Sequence, residues 1–297
     1  MMRKSWLPAY IALGLIWGCS FIFIELGLEF LTPFGVAFIR CALGAITLLI
    51  VVKLRKIVLP KEKSTWRKLW IVALLLNVVP GILFAFAQQY VTSVLAGIIN
   101  ATTPLMTMVF MLLLFREQKL KREQMIGLFI GAFGVMVVLG IWKGIGDNQL
   151  LGVAALLLAV SCYGYSFPYM TRNILPLGLK PEAAATVQLI LAAITLLPLY
   201  LFDGIAEDNY QLNSLLAMLA LGVLGSGFAY IWNFSIIAAA GGSIASTVTY
   251  VTPVVAVFVG WLFLGEQITW HEPVGAVFVI LGAAITQGRF TSKVVSK

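Results

Sequence analysis

Two charged residues interrupt stretches of this sequence that are otherwise apolar: Glu25 and Arg40. Inside a bilayer an Arg or a carboxylate costs about 2.5–3.5 kcal/mol by insertion scales, so such groups face a partner or a cavity. Glu25 shortly precedes the turn at Leu31–Pro33 and Arg40 shortly follows it, so an antiparallel hairpin brings them to similar depth. That placement admits two readings. Either they form a permanent ion pair and serve structure, or Arg40 turns to a bound carboxylate while Glu25 takes up a proton.

Backbone breaks are the second source of chemistry. Pro104 and Pro253 each fall midway along an apolar run. Proline lacks an N–H and clashes with the carbonyl four residues back, here that of Asn100 or Thr249. Bare carbonyls at mid-membrane need protein groups or cavity water. The breaks therefore read as a ligand site, or as packing kinks satisfied by Thr102, Thr103 or Thr252. Asn77, Gln88, Tyr230 and Asn233 add polar groups within apolar runs, with Gln89 and Ser226 beside them. Each serves either as glue between helices or as a cavity contact. Trp17 and Tyr163 offer aromatic faces for an apolar or cationic solute, as do Tyr165, Tyr169, Trp232 and Tyr250. Trp17, Asn77, Gln88, Asn100, Tyr163, Tyr230, Asn233 and Thr249 form the candidate substrate-binding set.

Enzyme chemistry finds little to build on. His271 is the single histidine, and Cys19, Cys41 and Cys162 are dispersed through apolar runs, so no catalytic, metal or cofactor site is expected. Gly144-Ile145-Gly146-Asp147 resembles an intramembrane aspartyl-protease element, yet it falls in a loop and no second aspartate accompanies it within a span. Gly178-Leu179-Lys180 lacks the rest of a phosphate-binding loop.

The elements that must position these groups are membrane helices. Hydrophobic residues make up 61% of the 297 and charged residues 11%, well under the ~25% of soluble domains. Runs free of Asp, Glu, Lys and Arg, read against about 20 residues per crossing, predict ten helices. They lie near 6–29, 34–52, 69–90, 94–115, 122–142, 149–171, 182–202, 212–238, 243–264 and 270–288. Arg3-Lys4 ahead of the first run resembles a signal-peptide start, but the run is long and lacks a cleavage box, so the first helix is expected to stay.

Charge placement sets the orientation. With the N-terminus inside, the basic residues of both termini, of the 53–68 and 116–122 segments, and Arg172 and Lys180 all share the inner side. Lys143 alone falls outside. The net charge of +8 is thus a topology signal, with no nucleic-acid role implied. The expected setting is the plasma or inner cell membrane, multi-pass, with both termini cytoplasmic.

The chain also repeats itself. Ala96–Gly134 matches Ala245–Gly282: Pro104 with Pro253 and Glu117-Gln118 with Glu266-Gln267 at an offset of 149, then Gly127 and Gly134 with Gly275 and Gly282 at 148. Trp17-Gly18 likewise pairs with Tyr163-Gly164. Residues 1–147 and 148–297 are read as two repeats of five helices. Five is odd, so the second repeat enters from the opposite side: an inverted duplication, as in secondary transporters.

With these residues assembled, the chain resembles the EamA family of the drug/metabolite transporter superfamily. The resemblance rests on Trp17-Gly18 with Phe21, on Pro33 and Arg40, and on the proline, Glu-Gln and paired-glycine pattern closing each half. It implies ten helices, cytosolic termini and a central cavity lined mainly by helices 1, 3, 4, 6, 8 and 9. It implies export or exchange of small metabolites, often amino acids, while protons as a possible coupling ion rest on Glu25 alone. An uncoupled facilitator, or a carrier of hydrophobic or cationic drugs, is the alternative. The second half departs from the pattern with Tyr163 for Trp17 and Gln188 near the place of Arg40, and no oligomeric state is implied.

Overall fold

The computed structural model describes residues 6–114, 122–140, 142, 147–206 and 210–286. The expectations for Arg3-Lys4, Glu117-Gln118, Lys143 and Gly144–Gly146 lie outside the described residues. Within them the chain is helical, save one isolated bridge between Leu31 and Ile205. Eight helices are long and apolar enough to cross a membrane: α1 Leu7–Gly27, α2 Pro33–Leu54, α3 Lys63–Ala87, α4 Ser93–Leu113, α6 Gln149–Leu177, α7 Pro181–Asp203, α8 Leu212–Ala240 and α9 Gly242–Leu264. Two shorter helices are α5, Arg122–Val138, and α10, His271–Thr286. The multi-span membrane protein expected from composition is thus observed. Large apolar side chains such as Ile50, Phe129, Leu201, Phe202 and Phe263 remain exposed on it. A bilayer accounts for such a surface; water does not.

Local chemistry sets the helix starts. Thr32 precedes Pro33 and its hydroxyl accepts the Gly35 N–H at 3.3 Å, while Thr92 caps α4 by accepting from Leu95 at 3.1 Å. α3 begins at Lys63, ahead of the expected 69. Lys63 and Arg67 sit exposed on its first turns, so charge there does not interrupt the helix.

Helix pairs related by the sequence offset run antiparallel. Thr32 at the start of α2 donates to Gly204 at 3.2 Å, and at the other end Arg55 meets Glu182, the first-turn carboxylate of α7, at 3.1 Å. α5 and α10 press backbone on backbone along their glycines. A Cβ on Gly275 would lie 2.5 Å from the Val138 nitrogen, and one on Gly282 would lie 2.4 Å from that of Gly131. These glycines form a small-residue packing seam that belongs to the scaffold. Gly18 and Gly164 serve as another matched pair. A Cβ at Gly18 would sit 2.4 Å from Val255 on α9, and one at Gly164 2.5 Å from Met106 on α4.

Four helices depart from regular geometry. α4 breaks between Ser93–Asn100 and Thr103–Leu114, and α9 passes through a 3₁₀ turn at Thr247–Tyr250 before resuming at Thr252. α3 and α8 widen into π-helix at Leu74–Val78 and Leu221–Phe228. The π segments had no sequence expectation, and such bulges are frequent at functional sites. The breaks of α4 and α9 and the π segments of α3 and α8 occur at offset-matched places in the two halves, whereas a further π segment of α9, Gly260–Leu264, has no matched one among the described residues.

A candidate substrate cavity at the helix breaks

The two breaks are closed by threonine. Thr103 donates its hydroxyl to the Asn100 carbonyl at 2.7 Å, and Thr252 donates to the Thr249 carbonyl at 2.9 Å. Of the two readings of the prolines, the backbone therefore follows the second: these carbonyls are satisfied within the chain. The Asn100 side chain reaches across to the other break, its Nδ2 donating to Thr252 Oγ1 at 3.3 Å. The helices thus bend against each other at a polar, mutually bonded crossing.

A cavity opens beside that crossing. Asn100 and Thr103 from α4 and Thr249 from α9 form its polar floor. Trp17, Ser20, Phe21 and Ile24 of α1, Leu76 and Phe84 of α3, Tyr163 and Phe167 of α6, and Tyr230 of α8 form the walls. Arg40 of α2 adds the charge. Its volume is about 50 Å³. One water needs roughly 10–15 Å³ by that measure. The cavity therefore holds a few waters and is too tight for a metabolite until its walls part. A roomier hollow of about 560 Å³ lies between α4, α5 and α6, but Leu105, Met106, Val109, Phe129 and their neighbours make it almost wholly apolar. Its lining suits lipid tails, and the polar chemistry belongs to the smaller cavity.

The π segments supply acceptors for the cavity aromatics. Tyr230 donates its hydroxyl to the Leu76 carbonyl at 2.9 Å, and Trp17 donates its indole N–H to the Gly225 carbonyl at 3.2 Å. Both carbonyls lie in widened turns, where the regular backbone ladder is interrupted. The rings meet edge to face, 6.0 Å between centroids, while Tyr163 stacks on Phe84 at 5.7 Å. The tilt of each ring is held at both its edge and its polar tip.

The expected pairing of Glu25 with Arg40 is not observed. Arg40 Nε donates to Ser226 Oγ on α8 at 3.1 Å. Glu25 accepts from Gln88 Nε2 at 3.2 Å, and the same nitrogen donates to the Phe21 carbonyl at 2.9 Å. Arg55–Glu182 is the ion pair among the described residues. The hairpin sets a common depth, but helix rotation decides facing: α2 turns Arg40 to α8, while α1 turns Glu25 to α3. Arg40, 7% exposed, is left as a buried cation bonded to a neutral hydroxyl.

Of the eight expected binding residues, Trp17, Asn100, Tyr163, Tyr230 and Thr249 line the cavity. Three do not. Asn77 accepts from Gln188 at 2.5 Å, Gln88 bonds Glu25 and Phe21, and Asn233 lies fully buried with neither amide atom bonded among the described residues. Pro104 and Pro253 open the second segments of the broken helices and shape the floor from behind. Phe21 and Phe167 had been passed over, although they occupy matched positions after Trp17-Gly18 and Tyr163-Gly164. Glu266, just beyond α9, closes the N-terminus of α4: its two oxygens accept the Ser93 and Val94 N–H groups at 2.9 and 3.0 Å.

Comparison with known proteins agrees with this architecture. The profile of the EamA-like transporter family matches residues 4–140 and again 150–287. The uncharacterized transporter YoaV of Bacillus subtilis is 24% identical over 285 residues, covering 95% of this chain and 97% of its own. The uncharacterized inner membrane transporter YedA of Escherichia coli K12 is 29% identical over 286 residues, covering 95% and 90%. Protein PecM of Dickeya dadantii is 27% identical over 272 residues, covering 92% and 89%. A solved crystal structure superposes with a TM-score of 0.70 at 19% identity, covering 98% of this chain and 100% of the other, a likeness of fold.

Proposed function

Because the chain belongs to the EamA-like transporter family, we propose that it is a secondary transporter exporting or exchanging small organic metabolites by alternating access. The observation that carries this reading is the closed central cavity set between two matched helix breaks. Helix breaks at a repeat interface are where transporter substrates bind, with the repeats rocking about the fixed site. Antiparallel packing of α2 with α7 and of α5 with α10 supports an inverted arrangement of two five-helix repeats, meeting near residues 147–148. In that arrangement α5 and α10 cross the bilayer as the fifth and tenth spans, and both termini are cytoplasmic in the cell membrane. The polar floor and aromatic walls suit amino acids and related compounds in chemistry, once the walls part to admit them.

Glu25, held by Gln88, is the group through which protons would couple to the cycle. Its replacement by Gln is expected to flatten the pH dependence of transport while leaving the protein folded. Counterflow in proteoliposomes over a panel of metabolites tests the main reading, with Pro253→Ala as the impaired control. Absence of counterflow for every solute that stabilises the purified protein would reject it. Labelling tests the orientation: a cysteine at position 61 is expected to react only from the cytoplasmic side.

A further inference from the structure

Among the described residues the cavity lining has one cation and no anion. Arg40 lies in its wall, buried, and no Asp or Glu among the described residues comes within 4.0 Å of its nitrogens. A buried charge facing only a neutral hydroxyl and aromatic rings is incompletely compensated. The bond to Ser226 does not require that charge, as the second half of the chain demonstrates. Gln188 stands 148 residues after Arg40, and Asn77 stands 149 before Ser226. Gln188 donates to Asn77 at 2.5 Å just as Arg40 donates to Ser226 at 3.1 Å. The same bridge between the two halves is built once with a cation and once with a neutral amide. Joining the halves thus accounts for the hydrogen bond and leaves the charge unexplained.

From this we propose that Arg40 is a specificity-determining residue that makes the cavity select organic anions, binding a substrate carboxylate against its guanidinium. The proposal rests on the transporter reading and deepens it. The guanidinium carries more donors than its single bond to Ser226 uses, in a planar fork that matches a carboxylate. Trp17, Tyr163 and Tyr230 surround the same space and take the carbon skeleton, aromatic or branched, against their faces. Ser20 and Asn100 remain for one further polar group of the solute. Entry of such an anion neutralises the cation that the empty cavity leaves exposed to low dielectric. Binding and charge compensation are then one event.

Paired probes of equal shape test this. Phenylacetate and phenylacetamide differ at the carboxyl end alone, and each is titrated against purified full-length protein by thermal shift and by quenching of tryptophan fluorescence. Wild type is expected to bind phenylacetate about tenfold or more tighter than phenylacetamide, the worth of a hydrogen bond to a charged group. Arg40→Gln copies the residue already standing at the matched position and should lose that preference while still binding the amide. Arg40→Lys should keep part of it. Equal binding of acid and amide by wild type overturns the proposal, as does a preference that survives in Arg40→Gln. Should Arg40→Gln fail to fold, the wild-type comparison and Arg40→Lys decide the matter. Counterflow of radiolabelled phenylacetate, measured separately, distinguishes the two layers. Selective binding without counterflow rejects transport of this anion and keeps the anion site, whereas counterflow of both probes at equal affinity rejects the site and keeps the transporter.

Discussion

The two halves of this molecule build the same joint with different chemistry. On one side Arg40 of α2 donates to Ser226 of α8; on the other Gln188 of α7 donates to Asn77 of α3. The breaks are matched more closely, Thr103 closing the Asn100 carbonyl and Thr252 that of Thr249. Glycines match too, Gly18 against Val255 and Gly164 against Met106. Where the halves agree, the shared feature is geometric: a helix must bend, or two backbones must approach. Where they differ, at Trp17 and at Arg40, the differing side chains line the cavity. Trp17 opposite Tyr163 and Arg40 opposite Gln188 are departures from the duplicated pattern, and Trp17, Tyr163 and Arg40 line that space. Duplication accounts for the frame, and the divergence between the halves falls at the cavity wall and at the joints beside it.

Imposing the missing symmetry the wrong way gives the largest effect. Gln188→Arg places a second cation where Gln188 is fully buried beside Asn77. It is expected to lower stability by about 3 kcal/mol or more, the scale of an uncompensated buried charge. A marked fall in folded yield and in the detergent-solubilised melting temperature checks this. A stable Gln188→Arg protein would mean the second joint tolerates charge as the first does, and the asymmetry would lose its meaning.

The matched prolines come next. Pro104→Ala and Pro253→Ala restore an N–H to each break and favour straighter helices. Both variants are expected to insert normally and to slow counterflow about tenfold, a gating effect of roughly 1.4 kcal/mol. Wild-type rates in both variants would assign the prolines to packing alone. Asymmetric loss, with one proline dispensable, would show that the two halves do not move alike.

The least disruptive substitutions resolve the breaks themselves. Thr103→Val and Thr252→Val keep the shape and remove a hydroxyl, leaving a buried carbonyl without its partner, a cost of about 1–3 kcal/mol. Thr252 also accepts from Asn100, so its replacement is expected to cost the more of the two. Thermal unfolding in detergent measures both, and equal losses would show that the Asn100 bridge adds nothing.

Much of the site was legible before the fold was seen. Asn100 and Thr249 reached the cavity because a proline four residues on marks its partner carbonyl by covalent geometry alone. Trp17, Tyr163 and Tyr230 were legible as aromatics in spans rich in other polar groups. Other assignments missed for a common reason. Gln88, Asn77 and Asn233 are buried polar groups of the same kind, and hydropathy does not distinguish a group facing a cavity from one facing a neighbouring helix. The Glu25–Arg40 pair missed in the same way, because a hairpin sets depth along the membrane normal and leaves rotation about each helix axis free. The π segments, which feed carbonyls to Trp17 and Tyr230, carry no sequence signal as distinct as a proline.

By itself the sequence determined the helical membrane class, the duplication, and the residues at which the helices must break. Each is a property of a single segment or of two segments compared: apolar length, an offset of 149, a missing N–H. Tertiary structure alone decided that threonine hydroxyls would close the freed carbonyls and that Arg40 would cross to Ser226 while Glu25 turned to Gln88. It also decided that the cavity would shut to a few waters' width. These outcomes depend on the rotation of several helices about their own axes, and that is set by side-chain packing between segments far apart in the chain.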